Sequence, residues 1–175
     1  MDNDPIPAAA MAPRSLLHAH LTSWPAWRTA LVSGFGGFVT ILILASAADL
    51  SRLALLIAPF GASCVLVFAL PHSPLAQPRN VIGGHLISAA VGVLVYQLLG
   101  AHPWSFALGV GAAIALMQIT GTLHPPAGAD PIVAILAKAA WPFLFTPVLA
   151  GTVAIILVGV AYHRGVAKRA YPVKA

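Results

Sequence analysis

The chain has very little charge. Only 7% of its 175 residues are Asp, Glu, Lys or Arg, whereas 59% are hydrophobic, and the mean hydropathy is +0.91. Soluble globular chains carry roughly 25% charged residues. The composition therefore excludes a soluble fold. It predicts an all-α polytopic membrane bundle, because apolar helices satisfy their own backbone hydrogen bonds inside lipid.

Cysteine and acidic residues are also scarce. The one cysteine, Cys64, lies in an apolar run and indicates neither a disulfide framework nor a redox compartment. The net charge of +5 comes largely from the two ends of the chain. We interpret it as a signal of membrane topology and not as affinity for nucleic acid. Residues 1–27 lack the short apolar core and cleavage site of a signal peptide.

Signatures of enzymes are missing as well. The sequence has no paired carboxylates, nucleophile elbow, glycine-rich phosphate loop or Cys/His spacing typical of a metal site. We therefore expect no enzymatic activity, no cofactor and no metal. The expected partners are the lipid bilayer and a small inorganic anion. A homo-oligomer is favoured too, since a small bundle struggles to enclose a pore alone.

Long apolar runs indicate where helices lie. Residues 29–48 carry no charge and are long enough to span a hydrocarbon core of about 30 Å. Further runs cover residues 53–70, 81–101, 105–119, 132–140 and 145–162. The motif Pro59-Phe-Gly-Ala-Ser63 cuts the run 53–70 near its middle. The pattern predicts four to six spans in a transmembrane domain at 28–163, between a mobile tail at 1–27 and a basic cytoplasmic tail at 164–175.

Polar groups concentrate in one interruption, Gly121–Pro131, which reads Gly-Thr-Leu-His-Pro-Pro-Ala-Gly-Ala-Asp-Pro. Pro125 and Pro126 lack N–H donors and favour extended backbone before them, so no helix runs through this stretch unbroken. Irregular backbone at membrane depth is tolerated only inside protein or along a watery cavity. We therefore expect the functional centre here.

Two helix starts are predicted at these interruptions. Ser63 is expected to cap a helix that begins near Cys64, and Asp130 a helix that begins at Pro131. Free N–H groups at such helix ends attract anions. The alternative is a pair of kinks that shape packing and bind nothing.

The polar residues of the interruptions form the candidate substrate site. His124 can donate a hydrogen bond to an anion or carry a proton, or it can simply bond a backbone carbonyl freed by the prolines. Asp130 repels an anion, so it is a helix cap or a proton or ion site. The full candidate set is His124, Pro125, Pro126, Gly128, Asp130, Gly61, Ser63, His85, Asn80 and Thr122.

A weak internal repeat occurs at an offset of 67 residues. Pro59–Ser63 aligns with Pro126–Asp130, and the matches continue without a gap at Val81, Gly84, Val91, Gly92 and Val93. Such matches also arise by chance in apolar sequence. In a true repeat, each half is helix, broken helix, helix. Three crossings per half make the halves inverted, as in many transporters, whereas re-entrant broken elements give four spans and parallel halves.

Basic residues lie near both ends of the chain, which predicts that both termini are cytoplasmic. This requires an even number of spans, four or six. We expect an integral protein of the bacterial inner membrane.

The octapeptide His124–Pro131 resembles the signature of the HPP family of integral membrane proteins. Shorter matches extend the resemblance over about residues 25–163, at Pro59–Ser63, Pro71–Pro74, Ala76–Pro78 and Asn80–His85. The family is usually described with four spans. Some plant and cyanobacterial relatives are associated with nitrite transport, so the resemblance implies an anion transporter.

We therefore expect membrane transport of a small inorganic anion, with nitrite as the first candidate and a proton coupled through His124 or Asp130. A passive anion channel would use the same interruptions without dependence on a pH gradient. A non-transporting membrane scaffold would use the prolines only for packing.

Overall fold

The computed structural model describes residues 25–173, and every regular element in that part of the chain is helical. Residues 1–24 of the predicted tail at 1–27 lie outside it, and so do the last two residues of the chain. The helices are α1 (Ala26–Ser51), α2 (Pro59–Cys64), α3 (Pro78–Leu99), α4 (Pro103–Ile119), α5 (Asp130–Leu136) and α6 (Ala150–Tyr162). The predicted all-α membrane bundle is confirmed.

Short turns of tighter or wider helix join these elements. The wide turns are Val65–Ala69 after α2, Phe145–Leu149 before α6 and His163–Ala167 after it. The 3-10 turns are Pro74–Ala76, Pro125–Ala129 and Trp141–Leu144. Extended backbone at Thr146 interrupts the approach to α6.

Prolines begin these helices instead of cutting them. Pro59, Pro78 and Pro103 each occupy the first helical position, where the missing N–H is not needed and the fixed φ suits a helix. We expected Pro59 to divide an apolar run near its middle. The run is divided there, because residues 53–57 are outside any helix and the helix starts at Pro59.

Three helical stretches are long and apolar enough to cross a bilayer, namely Ala26–Ser51, Pro78–Leu99 and Trp141–Ala167. At 1.5 Å per residue, α1 is about 39 Å long, which exceeds a hydrocarbon core of about 30 Å. Pro59–Ala69 and Pro103–Ile119 are apolar but shorter. The number of crossings, four to six, stays a prediction.

Helix α3 is the central element of the bundle, because it contacts α4, α5, α6 and the Pro125–Ala129 turn. A second region of contact joins α1, α2 and α6 around a buried apolar cluster that includes Phe60, Val67, Phe68 and Ile155. The two interrupted segments thus both lie against long helices. This packing encloses their polar groups.

Close glycine contacts recur at the offset of the sequence repeat. A Cβ placed on Gly84 of α3 would lie 2.8 Å from the carbonyl oxygen of Thr122. One placed on Gly151 of α6 would lie 3.2 Å from the carbonyl oxygen of Leu55. Gly84 and Leu55 precede Gly151 and Thr122 by the same 67 residues. Equivalent positions therefore make equivalent contacts.

A second pair of glycine contacts is related by the same offset of 67 residues. A Cβ on Gly92 would lie 2.9 Å from the Cβ of Ala134, and one on Gly159 would lie 2.8 Å from Cγ1 of Val67. The last helix of each half therefore packs on the broken segment of the other half. This reciprocal packing supports the repeat. Matches that arose by chance in apolar sequence would not also have packing partners at equivalent positions.

Residues 171–173 pack back on the bundle. Tyr171 is buried, and its hydroxyl donates to the carbonyl oxygen of Ala76 at 2.8 Å. The amide of Val173 donates to Oε1 of Gln77 at 2.9 Å. The stretch assigned to a basic tail at 164–175 thus includes residues that cover the loop before α3.

Candidate functional site

Four of the predicted site residues come together from three separate segments. Ser63 lies near the end of α2, and His85 lies two turns into α3. His124 has extended backbone before the Pro125–Ala129 turn, and Asp130 is the first residue of α5. All four side chains are 0% exposed.

Side-chain hydrogen bonds link these residues in a row that we call the polar chain, Asp130–His85–Ser63–His124. Asp130 Oδ2 lies 2.6 Å from His85 Nδ1, and His85 Nε2 lies 2.8 Å from Ser63 Oγ. Ser63 Oγ lies 2.9 Å from His124 Nε2. The row ends where His124 Nδ1–H donates to the carbonyl oxygen of Leu75 at 2.8 Å. Every ring nitrogen of both histidines therefore has a partner.

Asp130 is the least compensated group of the polar chain. Within residues 25–173 its ion-pair partner is His85, and no Lys or Arg lies within salt-bridge distance of it. Its Oδ1 atom is buried and has no hydrogen-bond partner among the described residues. Burying a carboxylate without full compensation costs several kcal/mol. An intramembrane carboxylate is therefore a candidate functional group.

Neither Ser63 nor Asp130 caps a helix in the way we predicted. Helix α2 begins four residues before Ser63, whose hydroxyl lies 3.3 Å from the carbonyl oxygen of Pro59. Helix α5 begins at Asp130 itself, without a side-chain cap. A cap needs a side chain that is free to turn back onto its own backbone. Here the two side chains are engaged with histidines from other segments.

The first N–H groups of α2 are not free for an anion either. Those of Phe60 and Gly61 donate to the carbonyl oxygens of Ile57 and Ala58 at 3.0 and 3.1 Å. Any anion at this site would therefore meet side chains of the polar chain before it met open helix ends.

Asp130, His85 and Ser63 are hydrogen-bonded in the same sequence as the residues of a Ser-His-Asp triad. Their distances suit proton transfer from the hydroxyl to the imidazole. Ser63 is nevertheless enclosed and shared with His124. A cavity of about 300 Å³ beside α1 is lined by Gly61 and Cys64 but not by Ser63. The hydrogen bonds thus provide a path for proton exchange within the polar chain.

Side chains along α3 hold the interruption Gly121–Pro131 in place. Asn80 Nδ2 donates to the Leu123 carbonyl at 2.9 Å. Ser88 Oγ donates to the Ala127 carbonyl at 2.5 Å. These bonds satisfy carbonyls that the proline-rich backbone leaves without helical partners. They hold His124 and Asp130 in place on either side of the prolines.

Sequence reasoning missed two residues that shape the polar chain. A Cβ on Gly84 would lie 2.8 Å from His124 Cβ, so the absent side chain makes room for His124. Phe60 stacks edge-on against His85, with ring centroids 5.4 Å apart. The glycine pair directly before His85 was the available signal for Gly84, whereas Phe60 looked like ordinary core.

The other predicted residues surround the polar chain without joining it. Thr122 is buried and its hydroxyl pairs with that of Thr120 at 2.8 Å. Pro126 is buried and Gly128 is half-buried. Pro125 and Gly61 are exposed on the surface of the bundle. Among the described residues, no group of three His, Cys, Asp or Glu side chains could hold a metal ion.

Comparison with known families shows which family the sequence belongs to. The sequence model of the family described as "HPP, transmembrane region" matches residues 22–172. The chain belongs to the HPP family. The resemblance of the octapeptide is thereby confirmed, and the match extends past residue 163 to include the buried Tyr171.

Two transmembrane proteins of Dictyostelium discoideum are similar to this HPP protein. One is 38% identical over 148 residues, which cover 77% of this chain and 52% of the relative. The other is 37% identical over 126 residues, which cover 67% of this chain and 40% of the relative. This HPP chain thus spans about half the length of the curated relatives it matches. No solved structure matches it significantly.

Proposed function

We propose that this HPP protein transports a small inorganic anion across the membrane, with nitrite as the first candidate and a proton as the coupled ion. The observation that carries the proposal is the polar chain. It buries one carboxylate and two imidazoles in an apolar bundle, where the interrupted segments meet. Ionisable groups inside a membrane domain mark substrate and proton pathways.

The charge of the polar chain favours coupling to a proton. An anion that approaches Asp130 is repelled while the carboxylate is ionised, and no Lys or Arg within residues 25–173 pairs with that carboxylate. A proton taken up by Asp130 or an imidazole removes this repulsion. The anion and the proton are therefore expected to bind together.

The crossed packing of the repeat supports a transporter over a scaffold. The glycine contacts pair the last helix of each half with the broken segment of the other. Many transporters place their substrate site between two such halves and alternate access by rocking one half against the other. We propose that the halves are inverted and that the polar chain is the fixed site between them.

Topology follows from the distribution of charge. Arg28 precedes most of α1, and Arg164, Lys168 and Arg169 follow α6. Under the positive-inside rule both ends face the cytoplasm, which requires an even number of crossings. We propose that the protein lies in the bacterial inner membrane and assembles as a homo-oligomer.

Nitrite uptake by proteoliposomes tests the function. The purified protein is compared with protein-free liposomes, with and without an inward proton gradient, because nitrous acid itself crosses lipid. We expect saturable uptake that rises with the gradient. His124→Ala and Asp130→Asn should each reduce it by about tenfold or more, the scale of losing a proton-transfer group, whereas His102→Ala, at an exposed histidine, should not.

The alternatives give different results in the same assay. A passive channel would show uptake that neither saturates at modest nitrite nor responds to the proton gradient. A scaffold would show no uptake above protein-free liposomes, and the two variants would lose thermal stability instead of flux. Either result would contradict a coupled carrier.

We also propose that the protein is not an enzyme, in spite of the triad-like order of Asp130, His85 and Ser63. The enclosure of Ser63 supports this, since a nucleophile must reach its substrate. A fluorophosphonate that labels activated serines should therefore leave the protein in membranes unlabelled. Labelling that is lost in Ser63→Ala would favour a hydrolase.

A further inference from the structure

We infer that the polar chain stores one transferable proton and that the Ser63 hydroxyl is the switch between its two protonation states. The inference rests on the proposed function for its role in transport, but the proton count rests on the hydrogen bonds alone. It identifies which groups carry the coupled proton and what net charge the site has when the anion binds.

The hydrogen bonds at the two ends of the polar chain determine how many protons it holds. At one end the Leu75 carbonyl can only accept, so His124 Nδ1 must carry a hydrogen. At the other end Asp130 Oδ2 and His85 Nδ1 share one hydrogen at 2.6 Å. Ser63 lies between the two Nε2 atoms, at 2.8 and 2.9 Å, with a single hydrogen of its own.

This geometry disfavours the polar chain without any added proton. With Asp130 ionised and both imidazoles neutral, the Nε2 atoms of His85 and His124 are both bare acceptors. The one Ser63 hydrogen can serve only one of them. The other nitrogen would face the serine oxygen without a hydrogen between them, and an unmade buried hydrogen bond costs about 1–3 kcal/mol.

One added proton satisfies every bond. It can lie on Asp130, with His85 Nε2–H donating to Ser63 and Ser63 donating to His124. It can equally lie on His124, with each of these bonds reversed and Asp130 ionised. Three hops convert one form into the other: Asp130 to His85, His85 to Ser63, and Ser63 to His124. The net charge is zero throughout.

A second added proton is also accommodated. Both imidazoles then donate to Ser63 Oγ, which has two lone pairs. The serine hydrogen turns instead to the Pro59 carbonyl oxygen at 3.3 Å. The polar chain now carries a net charge of +1 with every bond still made. Rotation of one hydroxyl therefore separates the neutral state from the charged one.

The net charge of the site depends on the two imidazoles and the carboxylate of the polar chain, because other ionisable groups nearby are few or engaged elsewhere. Helix α4 carries no ionisable side chain, and on α6 Tyr162 donates to the Val32 carbonyl. Cys64 follows Ser63 but packs towards Gly37 of α1. The remaining groups on α3 and the loop before it are Arg79, which bonds the Thr120 carbonyl, Tyr96, and exposed His72.

The charged state matches a monovalent anion. A site that gains one proton as it accepts one anion stays neutral overall, so the proton and the anion can cross together without the cost of moving net charge through low dielectric. The polar chain thus predicts one proton per anion and flux that does not depend on membrane potential.

Simultaneous recording of nitrite and protons tests this. Proteoliposomes contain a trapped pH indicator, and a potassium gradient with valinomycin sets the membrane potential. We expect wild-type protein to move one proton with each nitrite at a rate unaffected by the potential. Ser63→Ala should reduce proton-coupled flux by about tenfold or more, and Ser63→Thr, which keeps the hydroxyl, should recover part of it.

Ser105→Ala is the matched control. Ser105 is also fully buried, and its hydroxyl has no hydrogen-bond partner among the described residues. The control variant should therefore keep wild-type flux and stoichiometry. Nitrite uptake without protons in the wild type would overturn both this inference and the proposed coupling, and would leave anion transport alone. Unchanged coupling in Ser63→Ala would overturn the inference and leave proton-coupled transport standing.

A second readout does not need transport. Nitrogen NMR of histidine-labelled protein in lipid reports the protonation of each ring, with His85 and His124 assigned from single His→Ala variants. We expect the two rings to share one titration in the wild type and to titrate separately in Ser63→Ala. If wild-type protein carries no nitrite, the function fails, and this measurement still decides the proton count. Independent titration of the two rings in wild type would contradict it.

Discussion

Ser63 and Asp130 occupy equivalent positions of the internal repeat and bind opposite nitrogens of one imidazole, His85. The serine hydroxyl lies 2.8 Å from Nε2 and the carboxylate 2.6 Å from Nδ1. One histidine therefore joins the two broken segments. Its position two turns into α3, between both segments, makes the two halves depend on a single buried side chain.

The first prediction concerns that dependence. His85→Ala leaves the Asp130 carboxylate buried without its partner, so it should destabilise the protein by about 3 kcal/mol. In the double variant His85→Ala/Asp130→Ala the orphaned charge is gone. We expect its loss to be smaller than the sum of the two single losses. Thermal unfolding in detergent, with exposed His102→Ala as the control, measures both, and additive losses would show that the two groups are not coupled.

The second prediction concerns the glycine contacts. Gly84→Ala places a methyl group 2.8 Å from His124 Cβ and from the Thr122 carbonyl oxygen, so it should destabilise the protein by about 1–3 kcal/mol and lower nitrite uptake. The control is Gly111→Ala in α4, where nothing lies within 4 Å. That change should be neutral or slightly stabilising, because alanine is the better helix former.

The repeat extends this prediction to the other half. Gly151→Ala, the equivalent change in α6, meets the Phe60 ring and the Leu55 carbonyl. We expect a loss of unfolding free energy similar to that of Gly84→Ala, about 1–3 kcal/mol. Equal stability of Gly151→Ala and wild type would show that the crossed packing is not shared by the two halves.

Sequence reasoning found the right elements and misjudged their internal chemistry. The apolar run 29–48 predicted α1, and the repeat aligned Pro59–Ser63 with Pro126–Asp130. Capping by Ser63 and Asp130 was wrong, because local rules assume that a polar side chain serves its own backbone. In this protein the partner of Ser63 lies 61 residues away at His124 and that of Asp130 lies 45 residues away at His85.

Such partners could not be predicted from the sequence, because it did not show at which residue each short helix begins and hence in which direction each side chain points. A helix that starts at Pro59 turns Ser63 towards α3, whereas one that starts near Cys64 would put it at the helix end. The same five-residue shift decides between a capped anion site and a polar chain. Proline at the first helical position was the overlooked signal.

The third prediction concerns Asn80, which fixes the backbone before His124. Asn80→Ala leaves the Leu123 carbonyl without the bond of 2.9 Å, so it should cost about 1–3 kcal/mol of unfolding free energy. It should also reduce nitrite uptake, because His124 is then held less firmly. Exposed Gln97→Ala on the same helix is the control. Wild-type stability in Asn80→Ala would mean that the prolines alone fix this backbone.

The last prediction concerns the segment after α6. Burial raises the pKa of Tyr171 above its ordinary value of about 10, and its hydroxyl donates to the Ala76 carbonyl. Since the folded state holds the proton more tightly than the unfolded state, this contribution to stability is full below about pH 10 and is lost as the pH rises through the raised pKa. Tyr171→Phe should lower stability by about 1 kcal/mol at neutral pH and weaken the alkaline decline. Unfolding measured from pH 7 to 11 separates these effects, and an unchanged alkaline decline in Tyr171→Phe would assign it to another group.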